Sequence, residues 1–474
     1  MTLGIDTRSE EIASYLKEWE DNRATVKGER AMKGPGTRFL PKDEGMSDLA
    51  YENMKKRTPV FPGAARTFDG LKALATHKPA IITAPASVED ILKTITAQGY
   101  GLDNLAARIF GELLLTNFVG LVVDYPVAPA GITQAQAIAA GVRPYIGMYD
   151  AEHILGIETG VINNRQRVTR VRLSDDADNI RELRLDDGVY SVTKWRRIKG
   201  QWTPIETITP TKGGATIDEI PFTLVSTTED FEPSKAPMAD VCSINRQLFL
   251  ASSNLAQCHW WISQPIPYVI KKLTESEGAL SVAPGTVWRF DCLPSEAAVG
   301  FLEWSGAQVA ELRNEVETLK ADLAKNGLRM LADDRAANEA AETAAIRRAS
   351  ENAIVANFVR ERDAGLNDAL AWVAWWLDLE EGAITYEGST DFNAVPLSDA
   401  ALNFLKGLKE SGDISRATLL DVVVAQKILP ETYDKEVDAE IIAQELADRP
   451  PAIVMPNAFG SANDNAGQDD EDAS

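Results

Sequence analysis

From Glu303 to Asp378 the chain has almost nothing that breaks a helix, and nothing in the stretch suggests a catalytic pocket. Its first part, Glu303 to Leu331, sets Leu312, Val316, Leu319 and Leu323 four, three and four residues apart. That spacing draws one narrow apolar stripe along a helix. The remaining faces are charged, with Glu311, Arg313, Glu315, Glu317, Lys320, Asp322 and Lys325. A short polar segment, Ala332 to Glu342, interrupts the pattern before a second helix runs to the cluster Trp372-Val-Ala-Trp-Trp. A helix of about 28 residues is roughly 42 Å long. Such a rod exceeds what a small domain's core needs and reads as an architectural part.

The 474 residues have room for about two to four domains with ample buried core. An apolar content of 45% and a charged content of 25% are those of a soluble globular protein. The net charge of −23 disfavours gripping a polyanion through the whole surface, yet is compatible with letting DNA slide past. Cys242, Cys258 and Cys292 have no metal-type spacing and read as reduced core thiols of a cytosolic protein. The N-terminus lacks the basic and apolar regions of a signal peptide, and no run approaches the ~18 apolar residues of a membrane span.

Along the chain, residues 8–30 pattern as a charged helix ending at Gly28, Ser47 is placed to cap a helix through Arg57, and a further helix covers Thr67 to His77. Gly101 to Phe118 is amphipathic and leads into the apolar strand Gly120-Leu-Val-Val-Asp-Tyr; Gln134 to Ala140 is a short helix. From Arg143 to Val225 the period becomes two, with turn signals at Asp186-Asp-Gly, Lys199-Gly and Lys212-Gly-Gly, which predicts an antiparallel sheet with 220–225 as its last strand. Helix period returns over Pro237 to Ser263, short strands follow over 266–297, and the long helical pair comes next. After a loop at 380–396, three short helices fill Leu397 to Leu446, and the tail from Gly460, with Asp469-Asp-Glu-Asp, is expected to be disordered. Two rods holding a β module between them make a projection, and projections serve assembly.

Chemistry-bearing motifs are scarce. His77, His153 and His259 lie in no zinc-type spacing, and His259, in Cys258-His-Trp-Trp, reads as a packed interface or core residue. There is no G-x-x-x-x-G-K-[ST] loop and no G-x-S-x-G elbow, and Gly34-Pro-Gly36 is a turn without a preceding strand. Asp186-Asp187 and Asp333-Asp334 are paired acids of the kind that turns leave solvated. Trp372, Trp375 and Trp376, spaced three and one apart on a helix, suit packing against another helix or subunit. No cofactor, metal site or catalytic residue is implied.

Several segments in order resemble the portal proteins of tailed bacteriophages, within a subfamily first catalogued as a phage domain of unknown function. They are Tyr51-Glu-Asn-Met-Lys-Lys-Arg-Thr-Pro-Val-Phe-Pro, Arg66-Thr-Phe-Asp-Gly-Leu, Gly120-Leu-Val-Val-Asp-Tyr-Pro, Arg143-Pro-Tyr-Ile-Gly-Met-Tyr-Asp-Ala-Glu and Ile220-Pro-Phe-Thr-Leu-Val. Asn245, Glu342-Thr-Ala and Gly412-Asp-Ile-Ser complete the set, which spans about residues 15 to 448. The order of the segments, rather than any one of them, carries the likeness.

The resemblance implies an α+β fold of portal type, with a mixed α/β wing, a long helical stem, a small β clip and a helical crown. Mapped on this chain, the wing is 1–235, stem helix 1 is 236–263, the clip 264–299 and stem helix 2 300–328. A tunnel loop at 329–342, a wing helix at 343–395, a crown at 396–448 and a disordered acidic tail at 449–474 complete the division. The tunnel segment is richer in alanine than a flexible loop, so a helical state competes with a mobile one. The resemblance further implies a non-enzymatic ring of twelve subunits at one capsid vertex, the conduit for DNA packaging and ejection. Its partners would be its own copies, the terminase large subunit, a head–tail adaptor, the major capsid or scaffold protein and double-stranded DNA, with no membrane. Its place would be the virion, and the host cytoplasm during assembly. Lys320, Lys325, Arg329, Asp333, Asp334 and Arg335 are the candidates for facing DNA. The same cations could instead pair with acids at i±3 or i±4, or across subunits. Another head–tail connector or a scaffold-like assembly protein is the alternative; a nucleotide-driven motor or nuclease would need a P-loop or a carboxylate–metal cluster that the chain does not display.

Overall fold

The computed structural model describes residues 4–34, 36–126, 142–228, 230–263, 266–271, 297–302, 307–331, 341–390, 399–411, 414–425 and 435–447. The first helices are α1 (Glu10–Lys27), α2 (Glu29–Met32), α3 (Asp48–Arg57), α4 (Gly63–Ala75), α5 (Glu89–Leu92) and α6 (Leu102–Thr116), with strand β1 (Ile81–Thr83) after α4. Their ends follow local rules. Ser9 Oγ accepts from the Ile12 amide at the start of α1, and Gly28, with φ of +78°, closes it. Ser47 Oγ accepts from the Ala50 amide at the start of α3, at 3.2 Å. The helix expected from Thr67 begins four residues earlier, because Pro62 precedes a helical first turn at Gly63. The segment 134–140, expected to be helical, lies outside the described residues.

Helix α6 ends at Asn117, which adopts a left-handed conformation with φ of +52°. Its side-chain amide donates to Thr227 Oγ1 and Ser234 Oγ, both at 2.7 Å, and so fixes the turn into strand β2 (Val119–Asp124). Alternation along β2 sends Val119, Leu121 and Val123 into one core and Val122 into another. β2 is the middle strand of an antiparallel sheet with β3 (Tyr145–Tyr149) on one side.

A five-stranded meander follows: β4 (Ile154–Ile162), β5 (Arg165–Ser174), β6 (Asn179–Asp186), β7 (Val189–Ile198) and β8 (Gln201–Ile208), hydrogen-bonded in that order. Two-residue loops at Asn163-Asn164, Asp187-Gly188 and Lys199-Gly200 have positive φ at both positions, as does Gly213-Gly214 between β9 (Thr211–Lys212) and β10 (Ala215–Thr216). That is the type I′ geometry whose twist matches paired strands. The segment expected as the last strand of this meander belongs elsewhere. β11 (Phe222–Val225) pairs with β2, through Phe222 opposite Val122 and Val225 opposite Val119. An apolar strand is placed by the core it fills, and the inner face of β2 offered one.

Helix α7 (Ala239–Ile262), the hairpin strands β12 (Ile266–Lys271) and β13 (Ala297–Leu302), and helices α8 (Ala307–Leu331) and α9 (Ala341–Trp376) come next. The helix expected from 300 therefore starts at Ala307. Residues 297–302 pair with β12 instead, as the period-two run Ala-Ala-Val-Gly-Phe-Leu suits. Helix α8 also reaches Leu331, into the segment expected as a loop at 329–342; residues 332–340 lie outside the described residues. Helix α9 lines two cores in succession, with Val355, Ala356 and Val359 in one and Leu366, Leu370 and Val373 in the other. The loop expected at 380–396 contains a strand, β14 (Thr385–Glu387), which pairs antiparallel with β1. Asn367 clamps it, donating to the Tyr386 carbonyl at 3.0 Å and accepting from its amide at 2.8 Å.

The chain divides into two compact units, Met1–Phe392 and Asn393–Ser474. The second contains α10 (Asp399–Ser411), α11 (Arg416–Ala425) and α12 (Lys435–Ala447). Ser415 Oγ caps α11 by accepting from the Thr418 amide at 3.0 Å. The tail at 449–474 lies outside the described residues. Helices and sheets thus combine as the α+β class expected. No described helix is long and apolar enough to cross a membrane.

One ionic knot ties α1 to the α6 and β4 regions. Arg23 donates to Glu112 Oε1 and to Glu152 Oε2, both at 2.7 Å, with all three side chains mostly out of solvent. Burial works against the Arg23 charge, but the hydrogen bonds from both carboxylates hold its pKa above the ordinary value. Burial raises the Glu112 pKa against the pull of Arg23; for Glu152 burial pushes the same way, but the Arg23 hydrogen bond prevails and lowers it. Glu152 therefore adds stability above the ordinary carboxylate pKa that is lost on acidification, and Glu112 opposes it. Replacing Arg23 by Met strands both acids. Urea unfolding at neutral pH should show a loss of about 3 kcal/mol. The loss should shrink on acidification, beginning above the ordinary carboxylate range, because burial raises the pKa of both carboxyls once Arg23 is gone. An unchanged stability would mean that the knot contributes nothing.

Candidate functional site

The two rods α7 and α8 run antiparallel, with the β12–β13 hairpin joining their far ends. Their near ends are seated on the start of α4. A Cβ added at Gly63 would lie 2.2 Å from Leu323 Cδ2 and 3.2 Å from Asn245 Oδ1, so only glycine allows α4 to approach this closely. Asn245, on α7, accepts a hydrogen bond from the Ala64 amide at 3.0 Å and so satisfies a first-turn donor of α4. Gly327 of α8 makes the matching approach, its Cβ position being 2.6 Å from Thr67 Oγ1. Val316 and Leu323 are buried at this seat, while Leu312 and Leu319 are half-buried. The narrow stripe thus packs α8 against α7 and α4, and its other faces stay in solvent.

The candidate DNA-facing residues are distributed as follows. Lys320 pairs with Glu317 at 2.9 Å and Lys325 with Asp322 at 3.8 Å, both at i,i+3. Pairs this exposed contribute about 0–1 kcal/mol and leave the lysines free to exchange partners. Arg329 lies near the end of α8; Asp333, Asp334 and Arg335 lie outside the described residues. Of the six, the structure places Lys320 in a defined site. A groove of about 280 Å³ is lined by Pro59, Phe61, Leu255, His259, Val316 and Lys320 among others. His259, expected as an interface or core residue, is exposed on its rim and so is no core residue of this subunit.

Sequence reasoning missed this groove. Its signal was in the Lys55-Lys-Arg-Thr-Pro-Val-Phe-Pro segment, where Arg57 stacks over the Trp260 ring at 4.5 Å and Arg66 lies 5.9 Å from the Phe61 centroid. A larger cavity, about 310 Å³, opens beside β3. There Tyr145 donates to Asp124 at 2.9 Å, Tyr149 to Asp175 at 2.5 Å and Arg181 to Asp124 at 3.0 Å. Burial raises the pKa of both tyrosines, so the phenols stay protonated and serve as donors that lock β2, β3, β5 and β6 together. Burial also pushes the Cys242 thiol up to about 12, which keeps it from acting as a nucleophile. Cys258 is only half-buried, against expectation for a core thiol, and Cys292 lies outside the described residues. Among the described residues no group of three or more His, Cys, Asp or Glu is arranged to hold a metal.

Trp372 and Trp376 pack against the cores, and Tyr125 stacks on Trp376 with centroids 5.0 Å apart. Trp375 stays more exposed; its ring faces Lys212, whose ammonium lies 4.4 Å from the centroid and also pairs with Asp378. The tryptophan cluster therefore fastens the C-terminal end of α9 to the β9–β10 hairpin.

Residues 237–377 match a family described as "Domain of unknown function (DUF4055)". The match runs from the start of α7 to the end of α9, both rods and the hairpin included, and is under a third of the chain. No curated protein sequence matches the chain. Among solved structures it is similar to a chain in the neck of an empty gene transfer agent particle, computed with C6 symmetry. The identity is 15% and the TM-score 0.41, over 81% of this chain and 95% of that one. It is also similar to a chain in the virion of a native gene transfer agent particle, at 14% identity and a TM-score of 0.37, over 81% of this chain and 94% of that one.

The seat of the rods is open to test. Gly63→Ala should cost about 1–3 kcal/mol by overpacking against Leu323. Combined with Leu323→Ala, the two losses should sum to less than their separate values. Strict additivity in urea unfolding would mean that α4 and α8 do not meet as described.

Proposed function

We propose that the chain is the portal subunit of a tailed phage or phage-like particle. Identical copies would close into a ring of twelve at one capsid vertex, with DNA passing through the middle. One observation carries this reading: two long antiparallel helices, the second of them charged on all but one face, packed on an α/β body and joined by a β hairpin. Helix α8 buries Val316, Leu323 and Gly327 and leaves its flanks charged and wet, more exposed rod than one subunit needs. In a ring, neighbouring copies would cover those flanks. The ordered segments that resemble portal proteins include the residues of the seat, Asn245 and the run into Gly63.

The division of labour would follow the elements. The α/β body forms the wing, the rods the stem, the hairpin the clip that docks the terminase large subunit and then a head–tail adaptor, and the helices of the second unit the crown. The charge suits passage, because a wall rich in unpaired cations would retain DNA by counterion release. Lysines that alternate between a neighbouring acid and a phosphate would hold it only transiently. The chain would work without a cofactor and without catalysis. Another head–tail connector fits the same rods and hairpin, but nothing in the geometry favours it.

Negative-stain microscopy of the purified chain should show rings with a central hole and about twelve-fold symmetry; a monodisperse monomer at every concentration would overturn the proposal. For the channel, Lys325→Glu, which lies outside the groove lining, should leave rings intact. A lost phosphate contact should make the log–log salt dependence of residual DNA binding shallower by about 0.9. An unchanged slope would place Lys325 away from DNA.

A further inference from the structure

We infer that the groove between the α3–α4 connection and the rods receives the acidic flank of α8 from a second copy of this chain, in a head-to-tail contact. The contact presupposes the ring proposed above and identifies the surfaces that would close it. The groove has an apolar floor, with Phe61, Leu255 and Val316 among its lining, and a cationic rim. His259 and Lys320 line the groove directly; Arg66 lies near Phe61 of the lining, and Arg57 lies over Trp260, the residue after His259. Arg57 and Arg66 are exposed and, among the described residues, neither has a carboxylate within ion-pair distance; Lys320 alone has one, Glu317. On a chain of net charge −23, a cluster of arginines held by rings rather than by acids has an unmet electrostatic preference.

The complement lies on the opposite side of the same rod. At about 100° per residue, and with Val316 at 0°, Lys320 and Arg313 fall near 40° and 60°. On that same wheel Glu311 and Glu315 fall near 220° and 260°, about half a turn away; further along the rod this side is mixed, with Asp322 near 240°, Lys325 near 180° and Arg329 near 220°. Glu311, Arg313 and Glu315 are exposed, and among the described residues none of the three has an ion-pair partner, whereas Asp322 is held by Lys325 at 3.8 Å and Lys320 by Glu317 at 2.9 Å. The unpaired charges in the first half of α8 are therefore split, Arg313 toward the groove and Glu311 and Glu315 away from it. A subunit cannot bring its own two flanks together, whereas two copies can. Because donor and acceptor surfaces lie on different sides, the contact is heterologous and repeats from copy to copy, which closes rings rather than two-fold dimers.

Charge exchange tests this. One variant carries Arg57→Glu and Arg66→Glu, the other Glu311→Lys and Glu315→Lys; all four positions are exposed, so circular dichroism and melting should match the wild type. Each variant alone should lose rings by light scattering and negative stain, since each sets like charges across the contact. An equimolar mixture should regain them, as should a single chain carrying all four exchanges, because every junction is again opposite in sign. Wild-type rings that persist in either variant, or a loss that neither the mixture nor the fourfold exchange reverses, would remove this contact and leave the ring standing. A wild type that never associates would remove both.

Discussion

The close approach of α4 to the rods, made where Gly63 meets Leu323, is the contact on which the larger organisation depends. It needs a residue without a side chain, because any Cβ there would lie 2.2 Å from a Leu323 methyl. It also needs Asn245, whose side-chain carbonyl accepts from the Ala64 amide, a first-turn donor of α4 that would otherwise lack a partner. The α3–α4 segment continues this contact along α7, from Asn245 to Trp260. The charged flanks of α8 then become available to other molecules.

The body that holds the rods is built around a strand that serves two cores. β2 gives alternate side chains to the helices α6 and α9 on one face and to the meander on the other. Helix α9 extends the same economy, lining one core with its middle turns and another with its last ones. Two knots of charged and polar groups cross this body, Arg23 with two glutamates and Arg181 with Asp124 among the tyrosines. Such knots orient elements that meet at angles apolar packing alone would leave loose. They explain why the cavity beside β3 is lined by Tyr145, Tyr149 and Arg181, which already have partners, whereas the groove of about 280 Å³, with arginines resting on rings nearby, is the better candidate for an outside contact.

Much of this was legible locally. Ser9 and Ser47 announce their caps, and Asp187-Gly188, Lys199-Gly200 and Gly213-Gly214 announce turns, because these are conformations decided within four residues. The stripe at Leu312, Val316, Leu319 and Leu323 marked α8 as a rod with one contact face, and two of those residues are buried there. What was misread depends on distant partners. β11 looked like the next strand of a meander, and β14 like a loop, because each finds its pairing strand about a hundred residues away or more. The helix expected from 300 began as strand for the same reason, since β12 pairs with it across the hairpin.

The sequence by itself determined the period and end of most elements, the scarcity of catalytic motifs and the narrow stripe that makes a charged rod, because each follows from residue types at fixed spacing. Only the tertiary structure decided that Gly63, Asn245, Leu323 and Gly327 form one seat, and that Arg57, Arg66, His259 and Lys320 surround one groove. Those residues lie on four separate segments, and nothing local encodes their distances. Their proximity arises when α4, α7 and α8 bury their apolar faces together.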